Sequence, residues 1–192
     1  MDEAYNVVWN QEYTFTNGDN LALRSSIIID DECYVLVRRF ANTTGSLNYN
    51  CVLKIGKNGN ILNTFKMNFD PNHIDKDSQG NIIAIGITQD NQLICAKFDN
   101  NFNEIWSKEI GFAKVPFTEE DKNAFVAIEQ GFGIDDFDNI FVTIMEENLD
   151  DFDGTKLIKL SPDGFVLNSN ILLDGSHTRV DKVLLMNQNI IM

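Results

Sequence analysis

"VLKIGKNGNILNTFKMN" (residues 52–68) contains an apolar run that ends in Lys-apolar, a short polar Gly/Asn turn and a second alternating apolar run. That order predicts a β-hairpin. The same order returns in "CAKFDNNFNEIWSKEIG" (95–111) and in "LIKLSPDGFVLNSNILL" (157–173). One lysine column runs through the three segments, at Lys54, Lys97 and Lys159. The hairpin is therefore a repeated unit.

A second recurring piece precedes each hairpin. Here a short apolar strand meets an acidic or amide turn and a β-branched strand follows, in "IIIDDECYVLVRR" (27–39), "HIDKDSQGNIIAIGI" (73–87), "GIDDFDNIFVTIM" (133–145) and "VDKVLLMNQNIIM" (180–192). Together the two pieces predict a four-stranded meander of strands A to D. Its repeat of about 45–60 residues and its strand count are typical of a β-propeller blade.

The predicted fold is all-β, a single propeller-like domain over residues 1–192 with four-stranded antiparallel blades. Three full blades are expected at residues 21–68, 73–110 and 131–173, with further terminal strands at 5–15 and 181–192. In the first of these terminal strands Trp9 aligns near the place held by Trp106, Leu62 and Leu167. One weak helical pattern, at 117–130, interrupts the strands.

The terminal strands raise the question of how the ring closes. An unpaired edge strand invites pairing with another chain. Three accounts stay open: a truncated or incomplete ring, an oligomer that completes the ring by self-association through its edge strands, and a different β architecture such as a sandwich.

The sequence resembles the bacterial β-propeller repeats of surface and secreted proteins. The resembling residues are "DSQGNIIAIG" (77–86), "AKFDNNFNEIWSKEIG" (96–111) and "LSPDGFVL" (160–167). The pattern is shared with quinoprotein-like, NHL-like and WD40-like propellers. The sequence departs from it at Phe102 and Asn103, where Gly is usual. The resemblance implies a scaffold rather than an activity.

Charge and hydropathy narrow the range of partners. The chain has 192 residues, 43% of them hydrophobic, and a net charge of −14. Such a negative field repels phosphate backbones, so nucleic acid is not expected as a partner. No window approaches the roughly 18–20 apolar residues of a membrane-spanning helix, so membrane insertion is not expected either. The start lacks the features of a secretory signal. A removed leader would mean the cell surface or the extracellular space, and otherwise the compartment is the cytoplasm.

Loop lengths indicate which side of the propeller is expected to contact a partner. In a meander, the A–B and C–D connections emerge on one side, the turn face, and the B–C and D–A connections on the other, the loop face. The turn-face connections are all tight, whereas long insertions fall on the loop face, and function concentrates on such loops. The expected contacts with a protein or glycan partner are Asn42, Thr43, Thr44, Asn48, Tyr49, Glu119, Glu120, Asp121 and His177.

Few residues indicate a metal, a cofactor or catalysis. Asp150, Asp151 and Asp153 could offer oxygen ligands to Ca²⁺, but their loop fails the EF-hand spacing and a solvated acidic loop is the alternative. No cofactor is otherwise expected, and the three cysteines match buried small hydrophobes. His73 could line a central channel or serve a structural role.

Three functions remain open at this stage. The first is a noncatalytic binding module that recognises a protein or glycan partner through the loop face. The second is a propeller hydrolase or lyase with acidic residues on that face, and the third is a purely structural repeat of a larger surface protein.

Overall fold

The computed structural model describes residues 10–13, 20–40, 49–88, 90, 92–112, 131–147, 153–173, 184–186 and 189–191. Within these residues all regular structure is β-strand. The described residues include no helix with the length and apolar character that crossing a bilayer requires.

The described strands form three four-stranded antiparallel sheets and one two-stranded hairpin, each in chain order. The first sheet is built from β1 (Asn20–Ile29), β2 (Glu32–Phe40), β3 (Tyr49–Ile55) and β4 (Ile61–Phe65). The second is built from β5 (Asp70–Lys76), β6 (Ile82–Ile87), β7 (Gln92–Phe98) and β8 (Glu104–Phe112). The third is built from β9 (Phe132–Ile134), β10 (Ile140–Glu147), β11 (Asp153–Leu160) and β12 (Val166–Leu173). The hairpin pairs β13 (Leu184–Met186) with β14 (Asn189–Ile191).

The second sheet is buried on both faces. Along β6, Ile82 and Ala84 belong to the core shared with the first sheet, while Ile83 and Ile85 belong to the core shared with the third. Successive strand residues point to opposite faces, so this run of apolar residues fits a sheet packed between two others.

The sheets are stacked through their first strands. β1 contacts β5, β5 contacts β9, and β9 contacts β13. Strand A of each sheet is therefore next to strand A of the following one, as at the hub of a propeller. The expected all-β, propeller-like fold of four-stranded meander blades is confirmed.

Five of the turns share one hydrogen-bonded form. The first residue of each turn donates its backbone N–H to the carbonyl of the residue four positions later. The fourth residue donates its N–H to the carbonyl of the first. The fourth residue has a left-handed backbone in each of them, at Gly59, Gly80, Phe102, Asp138 and Gly164. Glycine adopts this backbone freely, whereas Phe102 (φ 64°) and Asp138 (φ 61°) do so at a cost.

Aspartate side chains cap three of these turns. Asp77 Oδ1 accepts the backbone N–H of Asn81 at 2.8 Å, and Oδ2 accepts the Asn81 side chain at 2.9 Å. Asp99 and Asp135 make the same pair of contacts with Asn103 and Asn139. The Asp-x-x-x-Asn pattern is therefore a turn-capping device.

Each blade rests on the left-handed residue of the next blade's C–D turn. The Phe65 ring on β4 stacks on Phe102, with 4.5 Å between ring centroids. Trp106 on β8 lies against Gly164, where an added Cβ would come within 2.9 Å of the indole ring. The indole Nε1–H of Trp106 also donates to the Pro162 carbonyl at 3.2 Å. Trp106 thus packs between two blades. Trp9 lies outside the described residues.

The strand register corrects one detail of the sequence alignment. Lys54 pairs with Asn63, Lys97 with Trp106 and Lys159 with Asn168. The column that holds Trp106 therefore holds these two asparagines and not Leu62 or Leu167. At the position opposite Lys97, Trp106 occupies the space that Gly164 leaves free.

We expect Phe102→Gly to lower the free energy of unfolding by about 2–4 kcal/mol, because a lost buried aromatic ring outweighs the relief of a left-handed backbone. Urea denaturation measures this change. Asn101→Gly, at an exposed position of the same turn, is the matched control and should change the free energy by less than about 1 kcal/mol. A Phe102→Gly protein as stable as the parent would show that the stacked ring does not hold the blades together.

Candidate binding site on the inner strands

Two neighbouring inner strands are both interrupted by a β-bulge. The β1–β2 register skips one residue between Leu23 and Ser25, which places Arg24 in the bulge. The β5–β6 register skips one between Pro71 and His73. Bulges redirect side chains and are frequent beside functional sites. The two strands also contact each other directly, since the Ile74 N–H donates to the Ser25 hydroxyl at 3.1 Å.

The second bulge depends on a glycine. An added Cβ at Gly86 would come within 2.2 Å of the Asp70 carbonyl oxygen and 2.6 Å of the Pro71 Cα. The start of β5 is therefore pressed onto β6 at the place where only a glycine fits.

Five polar residues surround these bulges, and we name them the bulge cluster: Arg24, Arg38, Asn50, Asp70 and His73. The Asn50 backbone N–H donates to Asp70 Oδ1 at 3.3 Å, and its side-chain amide donates to the Pro71 carbonyl at 2.6 Å. Arg38 pairs with Asn50 across β2 and β3. Arg38, Asn50 and Asp70 lie at strand ends from which B–C and D–A connections leave, so the cluster belongs to the loop-face half of the first two blades.

The environment of the cluster moves three pKa values. Desolvation raises the pKa of the Asp70 carboxyl, although part of the residue stays exposed, and the charges of Arg38 and Arg24 partly oppose this. Burial, followed by the positive charge of Arg24, lowers the pKa of His73 below its usual 6.5. Burial likewise lowers the pKa of Arg38. His73 is thus mostly neutral at pH 7.

Two buried atoms of the cluster lack hydrogen-bond partners within the described part of the chain. They are Nε of Arg24, a charged donor, and Oδ1 of Asn50, an acceptor. Asn50 is only 2% exposed, whereas Arg24 is half-buried. Buried polar groups are normally paired, so each of these two atoms is an exception that lowers the stability of the folded chain.

The residues expected to contact a partner fall almost entirely outside the described residues. Tyr49 has a described backbone at the start of β3, and Asp153 at the start of β11, but nothing is described of their side chains. The rest of the partner and calcium predictions lie beyond the described ranges: Asn42, Thr43, Thr44, Asn48, Glu119, Glu120, Asp121, His177, Asp150 and Asp151. These assignments, the possible Ca²⁺ site among them, stay predictions.

Sequence reasoning named only His73 from the bulge cluster. Arg24 and Arg38 each interrupt an otherwise apolar strand, in "LALRSSIII" and "YVLVRR". Charged residues are rarely buried without a purpose, and this was the signal that could have found them.

The comparisons with known proteins support the fold alone. No protein-family model and no curated protein matches the chain. Among solved structures the chain is similar to a subtype N10 neuraminidase-like protein of A/little yellow-shouldered bat/Guatemala/060/2010, with a TM-score of 0.52 and 17% sequence identity. The neuraminidase fold is a six-bladed β-propeller. The match covers 88% of this chain and 57% of that protein, so the chain spans little more than half of its length.

We expect Gly86→Ala to lower the free energy of unfolding by about 2–3 kcal/mol, because the new methyl group must displace the backbone of Asp70 and Pro71. Gly111→Ala is the matched control, since its Cβ would meet only the Ile144 side chain at an ordinary 3.6 Å. The control should change stability by less than about 1 kcal/mol. Equal effects of the two variants in urea denaturation would mean that β5 can move away from β6 freely.

We expect the parent to lose stability relative to His73→Gln as the pH falls from about 7.5 to 5. The folded state holds the pKa of His73 below 6.5, so the unfolded chain takes up the proton first and acid favours unfolding. The hydrogen-bonded Asp77 and Asp99 do not contribute in this window, because their pKa values lie below 3.8. Parallel slopes for parent and variant would show that His73 titrates as freely in the folded state as in the unfolded chain.

Proposed function

We propose that the chain is a noncatalytic binding module of propeller type that recognises a protein or glycan partner through its loop face. The observation that supports this best is the bulge cluster, which gathers two arginines at the loop-face half of the inner strands of a chain with a net charge of −14. The likeness to the neuraminidase-like protein supports the propeller fold only, and a fold by itself does not determine an activity.

The cluster favours binding over a purely structural repeat. Two bulges interrupt ladders that would otherwise pair fully, and a partly buried arginine with an unpaired Nε lowers stability. The C–D ladders of the blades carry register shifts too, so the argument for binding rests on the partly buried charges, which a structural repeat does not need.

The test is a screen of the intact chain against an immobilised glycan array and a peptide library displayed on phage. We expect a ligand that binds saturably and that loses at least about tenfold in affinity with Asn48→Ala/Tyr49→Ala on the loop face. Lys57→Ala/Asn58→Ala, at exposed positions of the turn face, is the matched control and should leave affinity unchanged.

Two outcomes would count against this function. Affinity lost with the turn-face variant alone would move the site to the other side of the blades, and the lack of any saturable ligand in both screens would favour the structural repeat. Chemical conversion of a bound glycan or peptide would instead favour the hydrolase or lyase alternative.

A further inference from the structure

We propose that two copies of this chain pair through the outer edge of β12, antiparallel to each other about a twofold axis at Ser169. This inference concerns the rim of the third blade and goes beyond the binding function proposed for the loop face. It is carried by the exposure of the strand, by its lack of charge and by the symmetry of its sequence.

β12 is the outermost strand of its sheet. The strand order is β12-β11-β10-β9, and β9 is the strand that contacts the inner strands β5 and β13. In the described part of the chain β12 pairs with β11 alone, so its other side carries unpaired backbone N–H and C=O groups. Because the inner strands stack at the hub, this free edge lies at the outer rim.

The side chains of β12 are open to solvent as well. Every residue from 166 to 170 is exposed. The exposed fraction is 54% for Val166 and 56% for Leu167. Successive strand residues point to opposite faces, so both faces of the sheet are accessible along this part of the strand. β12 therefore offers an approaching strand both its backbone and apolar side chains.

The three outer strands differ in how they are protected against pairing. β4 has only five residues, and β8 carries Glu104, Lys108 and Glu109. β12, "VLNSNILL", has eight residues and contains neither a charge nor a proline. Short strands and charged side chains are common protections of an edge. The chain has a net charge of −14, so two copies meet with least repulsion at an edge that has no acidic residue.

The sequence of β12 indicates that its partner is a second copy. Read outward from Ser169, the strand has an asparagine on each side and then apolar residues on each side. A twofold axis at this serine places Asn168 opposite Asn170 of the partner subunit and Leu167 opposite Ile171 of the partner subunit. Amides both donate and accept hydrogen bonds, so like residues complement each other here. An isologous contact requires such self-complementarity.

β8 lacks this symmetry. Ser107 holds the equivalent position in the register of its blade. Pairing of two β8 strands about this serine would place Trp106 opposite Lys108 and Ile105 opposite Glu109. Charged residues would then face apolar ones, which adds nothing to the stability of a strand pair. Self-pairing thus suits β12 and not β8.

The expected dimer is small and weak. The register with β11 skips one residue at Leu167 and one at Leu172, so the regular part of β12 is short and contains the axis. One pair of short strands falls in the smallest class of protein interfaces. Both copies carry the same net charge, so added salt screens their repulsion and strengthens the contact. A twofold contact is closed, so association stops at two copies.

Sedimentation equilibrium of the intact chain measures this association. We expect a monomer–dimer equilibrium with a Kd of about 10–100 μM and no larger species. Raising NaCl from about 0.1 to 0.5 M should lower the Kd at least about twofold, because the Debye length falls.

Matched lysine variants locate the contact. Ser169→Lys places two like charges directly opposite each other and should raise the Kd at least about tenfold. Thr64→Lys, at the equivalent exposed position of β4, adds the same charge and should leave the Kd within about twofold. Both positions are exposed, so both variants should keep the thermal midpoint of the parent.

Cysteine variants test the position of the axis. Ser169→Cys brings two thiols directly opposite each other, at a separation that a disulfide spans. Asn168→Cys leaves its two thiols offset by two residues, about 7 Å apart or more, which is too far. Mild oxidation with an added oxidant should therefore link Ser169→Cys into a covalent dimer and leave Asn168→Cys mostly unlinked. Mass spectrometry of the linked peptides distinguishes this disulfide from links through the native cysteines.

Three results would overturn the proposal: a monomer at every concentration up to about ten times the expected Kd, a dimer that Ser169→Lys leaves unchanged, or equal linking of the two cysteine variants. A monomer whose phage-displayed ligand is lost with Ser169→Lys would show that the edge pairs with another protein, which also overturns the second copy. The loop-face function is decided by its own variants, so each proposal fails or stands separately.

Discussion

The structure depends on the contact between the outer strand of one blade and the left-handed residue in the C–D turn of the next. The contact is made by aromatic residues in two different ways, with Phe65 stacked on Phe102 and with Trp106 against Gly164. In the first contact two rings stack on each other, and in the second the indole fills the space beside a residue that has no side chain. Such complementarity fixes how far apart the sheets lie, because packed interiors tolerate neither voids nor overlap. The spacing of the inner strands follows from it.

That spacing explains the polar cluster. β1 and β5 are close enough for a backbone N–H of one to reach a hydroxyl of the other, and β5 is close enough to β6 to require Gly86. Regular strands at this distance would fill the space between them with apolar side chains. A bulge in each strand changes the alternation at one residue, and Arg24 comes to lie close enough to act on both Asp70 and His73.

The blades could be predicted from the sequence because their signals are local. An Asp-x-x-x-Asn turn between two apolar runs identifies a hairpin wherever it occurs, and the lysine column sets the repeat. The bulge cluster could not be predicted in this way. Its members come from four strands, and their meeting depends on one-residue skips in register, which composition does not reveal. For the same reason, the sequence alignment placed Leu62 at the position opposite Lys54, which Asn63 holds in the structure.

The net charge of the molecule and the charges of the bulge cluster act over different distances. At physiological ionic strength charges are screened over about 8 Å, so a ligand at the inner strands responds to the nearby arginines more than to the whole chain. At longer range the net charge of −14 still disfavours large anions. The packing that spaces the blades thereby also determines which charged side chains lie close enough to act on one another.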